Sequence, residues 1–353
     1  MAVFSAERSD RAAVLCGLGG VLPRDRVDNA ELAARLDTDD AWIRTRTGIR
    51  SRHIAAPHEA TSDLAVAAGR RALANSGTGR VDAVVVATTT PDRTCPATAP
   101  LVAARLGLTG VAAFDVGAVC TGFVYALAAG AGLITSGVAD RVLVIGADVY
   151  SRIVDPDDRQ NAVVFGDGAG AVVLRAGYAE EPGALGAFDL GSDGAHEDMI
   201  TVAAGGSRLP ADPSRAAHAE RHFAMRGKEV FRHALTRMTE SARTVLERSG
   251  LTPDDVDRFV PHQANLRILR TVAADLGLSA DRCATHVERA GNTGAASIPL
   301  ALTDDHTRRS LLPGDRVLLT AFGGGLTWGS CLLTWPDLPP AAEPAHHEEE
   351  SAP

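Results

Sequence analysis

Lysine is all but missing from this 353-residue chain: Lys228 stands alone, and the other fixed positive charges are arginines. Net charge is −9 and aromatic residues make up only 4%, so no basic stripe with interleaved aromatics exists, which excludes a nucleic-acid-binding role. Cysteine is sparse as well. Its five positions (16, 95, 120, 283 and 331) have neither paired nor metal-type spacing. An odd count in a chain this large fits a reducing cytoplasm better than a disulfide framework, and no metal site is expected. The first ten residues lack the apolar stretch of a signal peptide. Long uncharged runs are rare too. The exception is Val116–Ala139, long enough to cross a bilayer. Its many small residues (Gly122, Ala126, Gly130, Gly132) fit the buried central helix of a large protein instead.

What remains is ordinary for a soluble enzyme: 45% hydrophobic and 22% charged residues. Short β-branched runs alternate with helical patterns, which predicts an α/β fold with buried strands. Strands are expected at 13–18, 81–88, 112–116, 141–146, 170–174, 257–260, 316–321 and 330–334. Helices are expected at 30–36, 61–76, 97–106, 121–136, 227–249, 265–276 and 297–309. Two halves of similar outline follow, 12–175 and 226–335, weakly suggesting a duplication. Between them, 176–225 is rich in Gly, Pro and charge and is expected to be irregular. The segment 336–353, with Pro-Pro, His-His and Glu-Glu-Glu, has the composition of a disordered tail.

Cys120 sits where a strand pattern runs into a helix pattern. A thiol at a helix N-terminus is favoured as thiolate, the nucleophilic form, although an isolated cysteine is equally a small buried hydrophobe. His262, in Pro-His-Gln-Ala-Asn265, follows the strand ending at Val260, the strand end where open α/β sheets bind ligands. By itself it is as well explained as a hydrogen-bonded structural histidine. Asn292 lies between glycines in Gly-Asn-Thr-Gly, which is also a plausible turn and helix cap. The turn Phe322-Gly-Gly-Gly325 offers backbone N–H groups suited to an oxyanion hole. It is not a phosphate loop, because no Lys-Ser/Thr pair and no helix follow. Likewise Phe165-Gly-Asp-Gly-Ala-Gly170 has dinucleotide-like glycines but runs into a strand rather than a helix.

In combination and in this order, these motifs resemble the ketoacyl synthase III family of the thiolase superfamily, over about residues 12–335. The stretch Thr38-Asp-Asp-Ala-Trp42-Ile-Arg-Thr-Arg46-Thr-Gly-Ile-Arg50 adds to the likeness. The resemblance implies a homodimeric, cytoplasmic acyltransferase with two duplicated halves in a five-layered αβαβα arrangement. It further implies that Cys120 takes an acyl group from acyl-CoA, and that His262 and Asn292 serve a malonyl thioester. The N–H groups of Cys120 and Gly324 would form the oxyanion hole. Thr38, Trp42, Arg46, Arg159, Gly227, Asn265 and Arg267 would bind CoA and pantetheine. Cys95, Phe165, Met225 and Phe322 would shape the acyl pocket. No cofactor is implied, since loss of carbon dioxide drives the condensation, and no membrane partner.

Some features depart from the family pattern. Cys95 is small where relatives carry a larger residue, which suggests a longer or branched primer. Helix 265–276 keeps Arg267 and Arg270 but continues with Ala274 and Asp275, so the extender could be malonyl-acyl carrier protein or malonyl-CoA. The blocks 89–93, 147–153 and 203–208 are similar to those of an acetoacetyl-CoA synthase, which uses malonyl-CoA. A related acyltransferase to a hydroxyl or amine is the other alternative, against which the intact Asn292 argues.

Overall fold

A computed structural model describes residues 11–341. Its strands, in chain order, are β1 (Arg11–Val21), β2 (Asp25–Asp28), β3 (Ser51–Ile54), β4 (Ala83–Ala87), β5 (Ala112–Val116), β6 (Arg141–Val149), β7 (Asp167–Tyr178), β8 (Leu185–Ser192), β9 (Ile200–Thr201), β10 (Ala224–Met225), β11 (Arg258–Pro261), β12 (Arg316–Gly323) and β13 (Thr327–Thr334). The helices are α1 (Asn29–Ala33), α2 (Asp40–Thr47), α3 (Thr61–Asn75), α4 (Ala99–Arg105), α5 (Gly122–Thr135), α6 (Gly227–Arg248), α7 (Leu266–Leu276), α8 (Val287–Ala290) and α9 (Ser297–Thr307).

Two sheets carry the fold, ordered β1-β7-β6-β4-β5 and β8-β13-β12-β11. In the first, β5, β4 and β6 run parallel while β7 and β1 are antiparallel. The second repeats this scheme: β11 and β12 are parallel, and β13 and β8 antiparallel. The counterpart of β5 is reduced to a single parallel bridge between Phe259 and Cys283. Duplication, only hinted at by the sequence, is therefore present in the topology.

Runs such as Ala83-Val-Val-Val-Ala87 are buried on both faces, because helices cover both sides. Helices α3 and α4 pack outside the first sheet, α5 and α9 lie between the sheets, and α6 with α7 covers the second. This is the expected αβαβα stack. The uncharged run 116–139 becomes the end of β5, a 3₁₀ turn and α5, with Phe123, Val124, Leu127 and Ile134 in the core. No helix among the described residues is long and apolar enough to cross a membrane.

Two expectations need correction. Residues 176–225 are not irregular throughout: β7 continues to Tyr178, and β8 is the edge strand of the second sheet. Glycine and proline around β8 hid it, whereas its hydrogen-bonding partner β13 lies far along the chain. Residues just after Pro336 are not a disordered tail. Trp335 is fully buried, Leu338 is buried, and the carbonyl of Pro339 accepts from Asn75 Nδ2 (3.0 Å) and His306 Nε2 (2.9 Å). The acidic segment from 342 onward lies outside the described residues.

Candidate functional site

The duplicated sheets bring the C-terminal ends of β5 and β11 together. Cys120 follows β5 in a 3₁₀ turn (Val119–Thr121) at the start of α5, and His262 follows β11. The Asn292 loop joins them through a parallel bridge to Phe165 and the bond from Asn292 N–H to the Val164 carbonyl (2.9 Å). Cys120, His262 and Asn292 line one narrow cavity of about 40 Å³, together with Phe165, Met225 and Phe322. All three catalytic candidates are buried.

Their hydrogen bonds fix how each is presented. The Gln263 N–H donates to Ser297 Oγ (3.3 Å), which lies 2.6 Å from His262 Nδ1; we assign the serine proton to this second bond, with Nδ1 as acceptor. Accepting at Nδ1 places the imidazole proton on Nε2. Burial holds the imidazole pKa down to about 3, so the ring is neutral near pH 7. Asn292 Oδ1 accepts the Gly294 N–H (2.9 Å), which leaves the amide NH₂ as the group offered to the cavity. The cavity therefore receives two neutral donors, an arrangement that stabilises a developing oxyanion.

The cysteine differs from expectation. Burial pushes the Cys120 thiol up to about 12, and the Asp148 carboxyl adds to this, while a hydrogen bond from Tyr150 opposes it. Desolvation thus outweighs the helix end, and the resting group is a thiol. Tyr150 Oη lies 3.7 Å from Sγ and 3.5 Å from Thr89 Oγ1, so its single proton can serve either acceptor. Asp148, fully buried, accepts from Thr89 N–H (2.6 Å) and Ala295 N–H (2.7 Å), tying β6 to the Asn292 loop. Gly294, at φ +57°, passes so close to Asp148 that a Cβ there would overlap the carboxylate.

The glycine turn packs against the backbone of Cys120. A Cβ on Gly323 would lie 2.9 Å from the Cys120 nitrogen and 3.0 Å from that of Thr121, so only glycine lets the turn rest on the nucleophile's backbone. Thr327 Oγ1 fastens the turn by bonding Thr121 Oγ1 (3.0 Å) and the Gly324 carbonyl (3.0 Å).

At the surface, Arg159 and Arg46 lie over Trp42, their guanidinium carbons 5.2 and 5.5 Å from the ring centroid. Thr38 precedes α2, which carries Trp42 and Arg46, while Asn265 caps α7 and donates from Nδ2 to the Arg46 carbonyl (3.0 Å). Gly227 opens α6 and Arg267 is exposed on α7. Cys95 departs from expectation: it is exposed and does not line the Cys120 cavity. That cavity is instead lined by Phe165 and Phe223, with Tyr150 behind them against Cys120: Tyr150 and Phe165 stack at 4.5 Å and Phe223 is edge-on to both. Phe223 and Ile200 separate it from a second cavity of about 730 Å³.

Sequence reasoning missed Asp148, Tyr150, Phe223 and Ser297 as site residues. Asp148 and Tyr150 lie in the block 147–153 just beyond the strand expected at 141–146, and Ser297 is three residues past Gly-Asn-Thr-Gly294, so a signal existed there. Phe223 had none.

A cysteine, a neutral imidazole and an amide around one narrow cavity, on a duplicated αβαβα frame, define a condensing enzyme of the thiolase type. The sequence family described as 3-oxoacyl-[acyl-carrier-protein (ACP)] synthase III matches residues 114–194, and its C-terminal counterpart matches 246–335. The chain is 58% identical over 327 residues to beta-ketoacyl-[acyl-carrier-protein] synthase III 5 of Streptomyces coelicolor, covering 93% of this chain and 98% of that protein. It is 53% identical over 333 residues to the beta-ketoacyl-[acyl-carrier-protein] synthase III of Pseudomonas aeruginosa PAO1, covering 94% and 99%. The crystal structure of FabH from P. aeruginosa PAO1 superposes with a TM-score of 0.88 at 51% identity, covering 93% of this chain and 100% of that one. The priming β-ketosynthase of the R1128 polyketide pathway superposes at 0.87 with 36% identity, covering 93% and 98%. The chain belongs to the beta-ketoacyl-[acyl-carrier-protein] synthase III family, and is an acyltransferase of the condensing type.

Proposed function

We propose that this enzyme condenses a short acyl-CoA primer with malonyl-acyl carrier protein to give a 3-ketoacyl thioester. The observation that carries the reading is the convergence of Cys120, His262 and Asn292 on one narrow cavity. Cys120 sulfur attacks the acyl-CoA carbonyl, the bond to the CoA sulfur breaks, and CoA leaves as the thiol with the cysteine proton. The N–H groups of Cys120 and Gly324 hold the tetrahedral oxyanion. The malonyl thioester then loses carbon dioxide, and its electron pair moves into an enolate. His262 Nε2–H and the Asn292 amide hold the enolate oxygen in a site with room for little water. The enolate carbon attacks acyl-Cys120, collapse of the adduct breaks the carbon–sulfur bond to release the 3-ketoacyl thioester, and the Cys120 thiolate takes a proton from solvent to return to the thiol.

No metal or redox cofactor enters these steps. The Trp42–Arg159–Arg46 cluster supports adenine and phosphate binding, since a cation–aromatic platform suits a flat base. The crowding of Cys120 by three aromatic rings supports a short primer rather than the branched one suggested by Cys95. The outer edge of β5, which pairs with no other strand among the described residues, supports pairing with a second copy, hence a homodimer. An enzyme using CoA and carrier-protein thioesters belongs in the cytoplasm.

Mass spectrometry of the Cys120 peptide after exposure to acyl-CoAs of increasing length tests the first half-reaction. Cys120→Ala is expected to take no acyl group and to lose condensation. Carbon dioxide release from malonyl-acyl carrier protein, against malonyl-CoA, tests the second. Product formed with no carbon dioxide release would point to simple acyl transfer, and a preference for malonyl-CoA to an acetoacetyl-CoA synthase.

A further inference from the structure

Away from the catalytic cavity, Asp155, His218 and His222 each bring a donor atom within 4.8 Å of the other two. The surrounding backbone already orients them. Asp155 Oδ1 accepts the Asp157 N–H (3.0 Å), leaving Oδ2 at 2.9 Å from His218 Nε2. His222 Nδ1 donates to the His218 carbonyl (2.9 Å), which puts the lone pair on Nε2. A backbone carbonyl behind one ring nitrogen is the usual way a metal-binding imidazole is held. The two rings lie 4.3 Å apart, and the His-x₃-His spacing is one that zinc sites use.

We propose that Asp155, His218 and His222 bind a divalent transition-metal ion of the zinc class, with solvent in the fourth position. Two imidazoles and one carboxylate suit zinc or cobalt, whereas calcium and magnesium prefer oxygen donors alone. Bonds of about 2.0–2.2 Å in a tetrahedron set donor separations of roughly 3.3–3.5 Å. The His218–Asp155 contact opens slightly to meet this, and the other separations close by little more than a side-chain adjustment.

The ion joins two segments that meet at the larger cavity, which Ile153 and Phe223 both line. Asp155 lies just beyond β6, in the segment that carries Tyr150 and Ile153. His222 directly precedes Phe223, whose N–H donates to the Ile153 carbonyl (2.7 Å). A bound ion therefore holds Phe223 in place as the partition between the two cavities. That consequence rests on the functional reading above, whereas the ion site does not.

The test is titration of the chelator-treated full-length chain with Zn²⁺ by calorimetry and with Co²⁺ by visible absorption. One equivalent should bind, with a cobalt d–d band and a higher melting temperature. His218→Ala, His222→Ala and Asp155→Asn should each weaken binding at least tenfold and abolish the melting shift, while their metal-free melting temperatures match wild type. The histidine pair 346–347 is the internal competitor, so H346A/H347A should bind as wild type does. Absence of binding at micromolar metal overturns the proposal. So does binding that survives the three ligand substitutions or vanishes in H346A/H347A. None of these readouts depends on condensation activity.

Discussion

Cys120 shows how two local effects compete at one atom. The helix end favours thiolate by a modest amount, whereas full burial costs a charged sulfur far more, so the thiol rests neutral. Its charge must then be stabilised as it develops, and the Tyr150 hydroxyl at 3.7 Å is placed to do this. A hydrogen bond to a charged acceptor contributes about 1.5–3 kcal/mol, or roughly 10- to 100-fold in rate. Tyr150→Phe should accordingly slow acylation of Cys120, and its alkylation by iodoacetamide, by about tenfold or more with the fold unchanged. Equal alkylation rates in the two proteins would remove Tyr150 from the mechanism. Ser297 acts one step further away, through the tautomer of His262.

Among the elements, the short ladder of β9 and β10 matters more than its length suggests. With the loop between its strands it delivers Ile200, Phe223 and Met225 to the catalytic cavity. Phe223 is buried and shared with the larger neighbouring cavity. Phe223→Ala should join the two spaces and shift the preferred primer toward longer chains, raising kcat/KM for a six-carbon acyl-CoA relative to acetyl-CoA by roughly tenfold. A gain of that size corresponds to about 1.4 kcal/mol, within the range expected when a few methylenes find apolar space. An unchanged chain-length profile would show that Phe223 does not bound the primer. The 3.6- and 2-residue periodicities made the long helices and buried strands legible, but β9 and β10 are two residues each and have no period to read.

For the molecule as a whole, two buried groups near the site make stability depend on pH in opposite senses. His262 is held down to about 3 by burial, so its contribution is present above the unfolded value near 6.5 and is lost as pH falls below it. Asp148 is pushed up to about 7 by burial, so its contribution is present below the unfolded value near 3.8 and is lost as pH rises toward 7. Substituting His262→Gln removes the first. Wild type should lose stability from pH 6.5 to pH 5 more steeply than this variant, by up to about 1.4 kcal/mol per pH unit. Urea denaturation at several pH values measures the difference, and parallel curves would rule the effect out. By itself the sequence determined the alternation of strands and helices and, through the order of its motifs, the family likeness that singles out Cys120, His262 and Asn292, while it only hinted at the duplication, because periodicity and local motifs are short-range properties. Only the tertiary structure decided the protonation state of Cys120, the roles open to Tyr150, Ser297 and Phe223, and the exclusion of Cys95 from its own chain's cavity. Those depend on burial and on contacts between residues far apart in the chain, and neither is encoded in any single stretch of it.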